Sequence, residues 1–377
     1  MQIKLAIWMN MPSHHQKDFF ACIEQDPDID LKVIYYDAVG KDRKNLGWDL
    51  IEIKPKYESY ACGSDIAAIK ESIDEFDNRI HIIPGNRSPF LQNLLEHLIE
   101  NNIRWAHWSE RAGFNLAKLL MYNQFLFNSI KPIYLRLSGY KKYAKLVNNF
   151  GLGAFSQGDL TKKDYINWGI NPVKIENLYY NQELCPERVV DNVEAKSEKM
   201  FIYVGTIEKR KGYDILLKAL KFVKLNGWIL LIVGEDRTSG DFNNLVRKLN
   251  IESSIRYVGV VPSSKVRDYI NSSDVLIFPT RFDGWGMVVN EAVSLGKAVI
   301  SSEFAGASYH LIENGKNGFV LQKLSPTTLA AAMSKYISNQ DLLEDHKIHS
   351  LRVAREYTPK ANVNRLKDTL NHWLSRY

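Results

Sequence analysis

Two carboxylates eight positions apart bracket a glycine-rich turn in PTRFDGWGMVVNEAVSLGKAVISS, residues 279–302. The apolar run VLIFPT predicts a buried strand ending at Pro279–Thr280, and the pattern beyond the turn predicts a helix opening at about Met287. Between them lies Asp283-Gly284-Trp285-Gly286. Backbone amides at a helix start make an anion site, and glycines let phosphates come close. Asp283 precedes that helix and Glu291 lies one turn inside it. A carboxylate beside an anion site repels the anion unless it faces hydroxyl groups, so the pattern fits a phosphorylated ligand that also carries ribose or another sugar. Taken alone, Glu291 also reads as an exposed helix charge.

Other residues could share this chemistry. Thr206, Arg210 and Lys211 fall in a basic loop between a strand and a helix, in VGTIEKRKGYDILLKAL. His107 sits at the end of a strand in IRWAHWSERAG, with Glu110 close by, and a hydrogen-bonded structural histidine is the other reading of it. His14 and His15 lie in the loop after the first strand. They are adjacent but lack a third ligand at helical spacing, so no metal site is expected. Asp26, Asp28 and Asp30 form an Asp-x-Asp-like run, which in GT-A transferases binds a divalent metal. Here it contains Pro27 and precedes a strand, which reads as a polar turn. No GxGxxG follows a strand, so a nicotinamide or flavin cofactor lacks support.

These residues need elements to position them. Strand-like runs at 3–9, 31–36, 80–83, 103–108 and 153–156 alternate with helical patterns such as 90–102. Residues 186–199, charged and poor in large apolar groups, read as a connection. Alternation then restarts, with strands at 201–205, 229–234, 255–259, 275–280 and 298–302 and helices at 214–225, 241–249, 264–271 and 288–295. The tail from about 341 is helical, with a break at Pro359. Such alternation predicts α/β architecture with parallel sheets, and 377 residues are too many for one ordinary core. Two doubly wound domains place a crevice at the carboxyl ends of their strands, where hinge closure excludes water.

The 279–302 segment resembles the signature of the family 4 retaining glycosyltransferases of GT-B fold (glycosyl transferases group 1), which carry Glu-x7-Glu around a Gly-aromatic-Gly step. Asp283 stands at the first glutamate, one methylene shorter, giving a DGWG variant. The resemblance implies that Glu291 holds the ribose hydroxyls and that Asp283 contacts the donor sugar. It implies that the backbone of Gly284, Trp285, Gly286, Met287 and Val288 runs along the sugar and diphosphate. Residues 204–220 resemble the family's Val-Gly-Arg…Lys-Gly loop. Lys211 falls on its diphosphate-binding lysine, where a cation neutralises the leaving group. Thr206 replaces the family's arginine, with Arg210 as a substitute. The Val260–Val261 turn matches the family's base-binding turn, and 306–321 resembles its closing glycine-rich block. In the looser N-terminal half, the resemblance implies a donor-sugar contact for His107, with Glu110 beside it. It implies an acceptor- and phosphate-side role for the loop of His14 and His15.

The implied architecture is two Rossmann-like domains facing across a cleft. Residues 1–185 form the acceptor side, 186–199 the linker and 200–345 the nucleotide-sugar domain, and the helices of 346–377 pack back on the first domain. The implied activity is retaining hexosyl transfer from a UDP- or GDP-linked sugar to a glycan or lipid-linked acceptor, without metal or other cofactor. Bacterial surface polysaccharide or glycoconjugate assembly is the setting by analogy. A GT-B nucleotide-sugar epimerase and a non-catalytic nucleotide-sugar-binding subunit are the rivals.

Charge adds one more expectation. Between Arg104 and Lys145 stand eight basic residues and a single acid, Glu110, a local +7 against +6 for the whole chain. Leu119, Leu120, Met121, Phe125, Leu126, Phe127 and Tyr134 are interleaved. A basic amphipathic stretch of this kind suits an anionic membrane surface, an ordinary solvated helix face being the alternative. No recognition motif points to nucleic acid. The run MQIKLAIWMN is too short for a signal peptide, and no run of about eighteen apolar residues exists to span a membrane. Cys22, Cys62 and Cys185 are widely spaced, which favours a reducing compartment. The expected location is cytoplasmic, peripheral on the inner face of the cell membrane.

Overall fold

The computed structural model describes residues 2–37, 55–61, 63–120, 122–184, 198–223 and 227–376. Cys62, Met121, Cys185 and most of the expected linker therefore lie outside the described residues. Thirteen strands are described: β1 Ile3–Met9, β2 Ile29–Tyr35, β3 Glu58–Tyr60, β4 Ile80–Ile83, β5 Trp105–Ser109, β6 Ala154–Ser156, β7 Ile175–Asn177, β8 Lys199–Val204, β9 Trp228–Val233, β10 Ile255–Gly259, β11 Val275–Phe278, β12 Ala298–Ser302 and β13 Gly318–Leu321. They form two sheets, ordered β3-β2-β1-β4-β5-β6-β7 and β10-β9-β8-β11-β12-β13. Every described pairing is parallel.

Parallel sheets are covered on both faces, so their central strands read as continuous apolar runs rather than alternating ones. IHII of β4 and VLIF of β11 are buried at every position. The helices that cover them carry the matching stripe. In Pro89–Glu100, Leu91, Leu94, Leu95 and Leu98 face the core, while Ser88 caps the start by accepting from the Leu91 amide. Three short strands, β3, β7 and β13, escape the sequence reading, because three or four residues such as ESY and IEN carry no apolar run.

The order of each sheet reverses once, between β1 and β4 in the first and between β8 and β11 in the second. Ligands of doubly wound sheets bind at such switch points, beyond the carboxyl ends of the strands. Here both switch points open on one cleft.

The return to the first domain begins later than residue 346. Helix Gln340–Ala354 buries Leu343, Val353 and Ala354 in the cores of the second domain. Pro359 then starts a new helix, Pro359–Leu374, capped by Thr358. Its stripe Val363, Leu366, Leu370 and Trp373 packs with Phe19, Phe20 and Ile23 of the first domain. Lys367 pairs with Asp26 and Asp28, and Arg79 pairs with Asp30. The aspartate run is thus a structural turn that anchors the returning helix.

Candidate functional site

The cleft between the sheets encloses about 950 Å³. Its C-terminal wall is built from the loops after β8 and β11. Gly212 adopts φ +77°, and a Cβ there would stand 1.9 Å from the Pro279 carbonyl oxygen, so only glycine lets the two loops touch. Thr280 Oγ1 ties them further by donating to the Arg210 carbonyl at 3.1 Å. This stitching holds Lys211 Nζ in an ion pair with Asp283 Oδ2. Arg210 joins them, 3.4 Å from Asp283 and 2.6 Å from Glu208. Burial drives the Asp283 carboxyl up, but Lys211 and Arg210 outweigh it and hold it below the usual carboxylate range.

Gly286, at φ +102°, then opens helix Met287–Ser294, which has no side-chain cap. An uncapped start points its amides outward, as anion binding requires. The Trp285 indole is not in the cleft. It is buried, donates to Asn290 Oδ1 at 2.5 Å and stacks on His310, so only its backbone serves the cleft. One turn on, Glu291 lines the cleft yet is 8% exposed. Burial pushes its carboxyl up to about 7, with Arg267 opposing in part. Thr206, Val261, Gly284, Met287 and Val288 also line the cleft.

The N-terminal wall corrects one expectation. His107 does not reach the cleft. It is 1% exposed, with Nδ1 3.0 Å from the Tyr143 hydroxyl and Nε2 3.0 Å from Ser109 Oγ, among Tyr165 and Trp168. Burial pushes its pKa down to about 3, so the ring is neutral and structural. The strand's end instead presents Trp108 and Ser109, and the loop after it Glu110. Glu110 accepts from the Tyr180 hydroxyl at 2.7 Å and approaches the DGWG turn so closely that a Cβ on Gly284 would meet its carboxylate at 2.6 Å.

His14 and His15 line the same cleft, their rings 3.8 Å apart. A third potential ligand, missing from their local sequence, comes from the other domain. The ligand atoms of His14, His15 and Glu291 all lie within 4.8 Å of one another.

The basic stretch also divides. Arg111 and Lys131 are interior, both pairing with Asp164, and Phe127 is buried against Phe282. Lys118, Arg136, Lys141, Lys142 and Lys145 are exposed. So are Leu119, Tyr122, Phe125, Ile133 and Leu137, with Phe125 and Leu137 at 79% and 83%. These lie on or between helices Phe114–Leu120, Gln124–Leu137 and Tyr140–Phe150. Tyr122 reaches the loops of the C-terminal wall, under Lys209 and Arg281. No helix among the described residues is long and apolar enough to cross a membrane.

Sequence reasoning missed Arg111, Lys131 and Asp164 as a buried cluster and Tyr180 as the partner of Glu110. None belongs to a local motif, and only the charge of the two cations was legible.

Two parallel-sheet Rossmann-like domains, with both switch points on one cleft, define the GT-B architecture. Residues 187–350 match the family model Glycosyl transferases group 1. AmsD of Erwinia amylovora, an amylovoran biosynthesis glycosyltransferase, is 26% identical over 223 residues, 59% of this chain and 59% of that protein. The lipopolysaccharide 1,6-galactosyltransferase of Escherichia coli is 28% identical over 215 residues, 55% of this chain and 58% of that protein. In both, the match spans less than two thirds of the curated relative. HepE of Anabaena, solved in complex with UDP, superposes with a TM-score of 0.73 at 13% identity, covering 99% of this chain and 100% of that one. HepE has also been solved with UDP-glucose.

Proposed function

We propose that this protein is a retaining glycosyltransferase of family 4 that moves a sugar from a UDP-linked donor to a polysaccharide or lipopolysaccharide-type acceptor, without metal. The observation that carries it is the meeting of Lys211, Asp283, the uncapped helix start and Glu291 on one wall of the cleft. The diphosphate lies against Lys211, Arg210 and the helix-start amides, Asp283 faces the sugar, and the Glu291 carboxylate accepts from the ribose hydroxyls. HepE, with its UDP complexes, supports the choice of base, and AmsD and the galactosyltransferase support the acceptor class. In the reaction the bond from the anomeric carbon to the diphosphate oxygen breaks. The acceptor oxygen bonds to the same face of that carbon, and its proton passes to the leaving phosphate. The growing negative charge falls on Lys211, which is electrostatic stabilisation of the leaving group.

The test is proton nuclear magnetic resonance of the product formed from UDP-hexoses, with thermal shift to find the donor. A product with the donor's anomeric configuration is expected. Inversion, or turnover of donor with no acceptor present, defeats the proposal, and the latter outcome favours an epimerase.

The exposed face of helices 114–150 supports a peripheral membrane contact, where a lipid-linked acceptor would be met. Each cation contributes roughly 1 kcal/mol at most near anionic lipid, and salt screens it. Replacing Lys141, Lys142 and Lys145 with Gln is expected to weaken sedimentation with anionic vesicles and leave UDP binding intact. Equal binding of the native protein to neutral vesicles overturns the electrostatic part.

A further inference from the structure

We infer that His14, His15 and Glu291 form a divalent transition-metal site that bridges the two domains and excludes the nucleotide donor. The two histidines stand on the loop after β1, and the glutamate stands in the helix after β11. All three line the cleft, with ligand atoms within 4.8 Å of one another. A tetrahedral ion with bonds of about 2.1 Å holds its ligand atoms roughly 3.4 Å apart, a gap that rotation of the side chains closes. Glu291 is 8% exposed. A desolvated carboxylate facing two imidazoles is a donor set that suits a divalent cation.

Ligand chemistry selects the ion. Two nitrogens and one carboxylate oxygen suit zinc, nickel, cobalt or copper, whereas magnesium and calcium want mostly oxygen. Three protein ligands leave a position open to water. Because the ligands come from both domains, the ion binds the closed cleft and cross-links it. Binding itself rests on the geometry alone. The exclusion of donor rests on the proposed contact of Glu291 with ribose, since one carboxylate cannot serve both.

The experiment is a titration of EDTA-stripped, full-length protein with cobalt or nickel, by calorimetry and by the visible absorption of bound cobalt. One equivalent is expected to bind, with a cobalt spectrum of low coordination number. Glu291→Gln and the double variant His14→Ala/His15→Ala are each expected to bind at least tenfold more weakly. Saturating UDP is expected to displace the ion, and the ion to inhibit transfer competitively with donor. Absence of cobalt binding by the native protein overturns the inference, and needs no variant to fold. So does binding retained in both variants. UDP binding without metal binding overturns the site and leaves the transferase reading standing. Metal binding to a protein that binds no nucleotide supports the site and sinks the donor reading.

Discussion

The two walls of the cleft are built on different plans. The C-terminal wall concentrates charge on backbone that has no room to move. Gly212 and Gly286 sit where a Cβ would strike the Pro279 carbonyl or the Phe278 ring, and Lys211, Arg210, Asp283 and Glu208 interlock beside them. The N-terminal wall offers mostly neutral groups, Tyr36, Trp108, Ser109 and the histidine pair, beside Glu110 and Arg111, with Ser109 tied to Tyr165 and His107. The difference follows from the task each wall has under the proposed reaction. Charge that develops on a leaving group is met best by groups fixed in advance. An acceptor sugar is met by shape and neutral hydrogen bonds, which tolerate change.

If that contrast is right, the greatest loss comes from the C-terminal wall. Lys211→Ala is expected to lower kcat about a hundredfold, near 2.7 kcal/mol of transition-state stabilisation, the scale of one preorganised donor. It also leaves Asp283 buried beside Arg210 alone. Steady-state kinetics on a variant that still melts cooperatively decides this, and near-native kcat removes Lys211 from the reaction.

Glu291 gives a smaller effect and one with a pH signature. Its carboxyl is raised to about 7 by burial, so near neutrality a substantial fraction is protonated. The ionised form is the better acceptor from ribose hydroxyls. UDP affinity is therefore expected to rise as pH increases from 6 to 8, by about tenfold if only the carboxylate binds. In Glu291→Gln that component is expected to vanish, leaving only the titration of the nucleotide's own phosphate. Calorimetric titrations across that range, with parallel slopes in both proteins, would detach Glu291 from the donor.

The contrast also explains what was legible in the sequence. The proposed phosphate site is local, made of consecutive amides, glycines and a cation, so 204–220 and 279–302 carry its signature. The strands of the principal runs lie within two residues of their expected bounds, because buried parallel strands are apolar throughout. The same property hid the facing of His107. A strand buried on both sides shows no alternation, so nothing in WAHWS says which side chain meets the cleft. Contacts between the two domains were hidden too. Glu110 against Gly284 and Glu291 near His14 and His15 join residues far apart in the chain. The sequence placed Arg111 and Lys131 in a surface patch, whereas Asp164 draws them inside.

His107 tests the N-terminal wall with a smaller expected effect on catalysis. His107→Asn removes hydrogen bonds to Tyr143 and Ser109, at a cost of about 1–3 kcal/mol of stability. Because the ring is outside the cleft, donor KM and kcat are expected to stay within about twofold of native. Thermal denaturation beside kinetics separates the two. A large fall in kcat with unchanged stability would return His107 to the catalytic group.

The smallest expected effect is none at all: for protein carrying no transition metal, turnover in excess EDTA equal to turnover without it. A transferase needs a divalent metal when nothing else meets the charge of the departing diphosphate. Here the cleft already offers two cations, Arg210 and Lys211, and a helix start whose amides no side chain occupies. Part of that positive charge is balanced by Glu208 and Asp283, so the amides and the fixed position of Lys211 matter more than net charge. Of the cleft carboxylates, Asp283 pairs with Lys211 and Glu110 accepts from the Tyr180 hydroxyl. Chelation should then do no more than strip an ion from His14, His15 and Glu291, which raises the rate of a preparation carrying zinc or nickel. Assays with EDTA, and with magnesium or manganese added back, measure this directly. Abolished turnover that magnesium or manganese restores would move the leaving group's charge from Lys211 to a metal, and the rigid C-terminal wall would need another explanation.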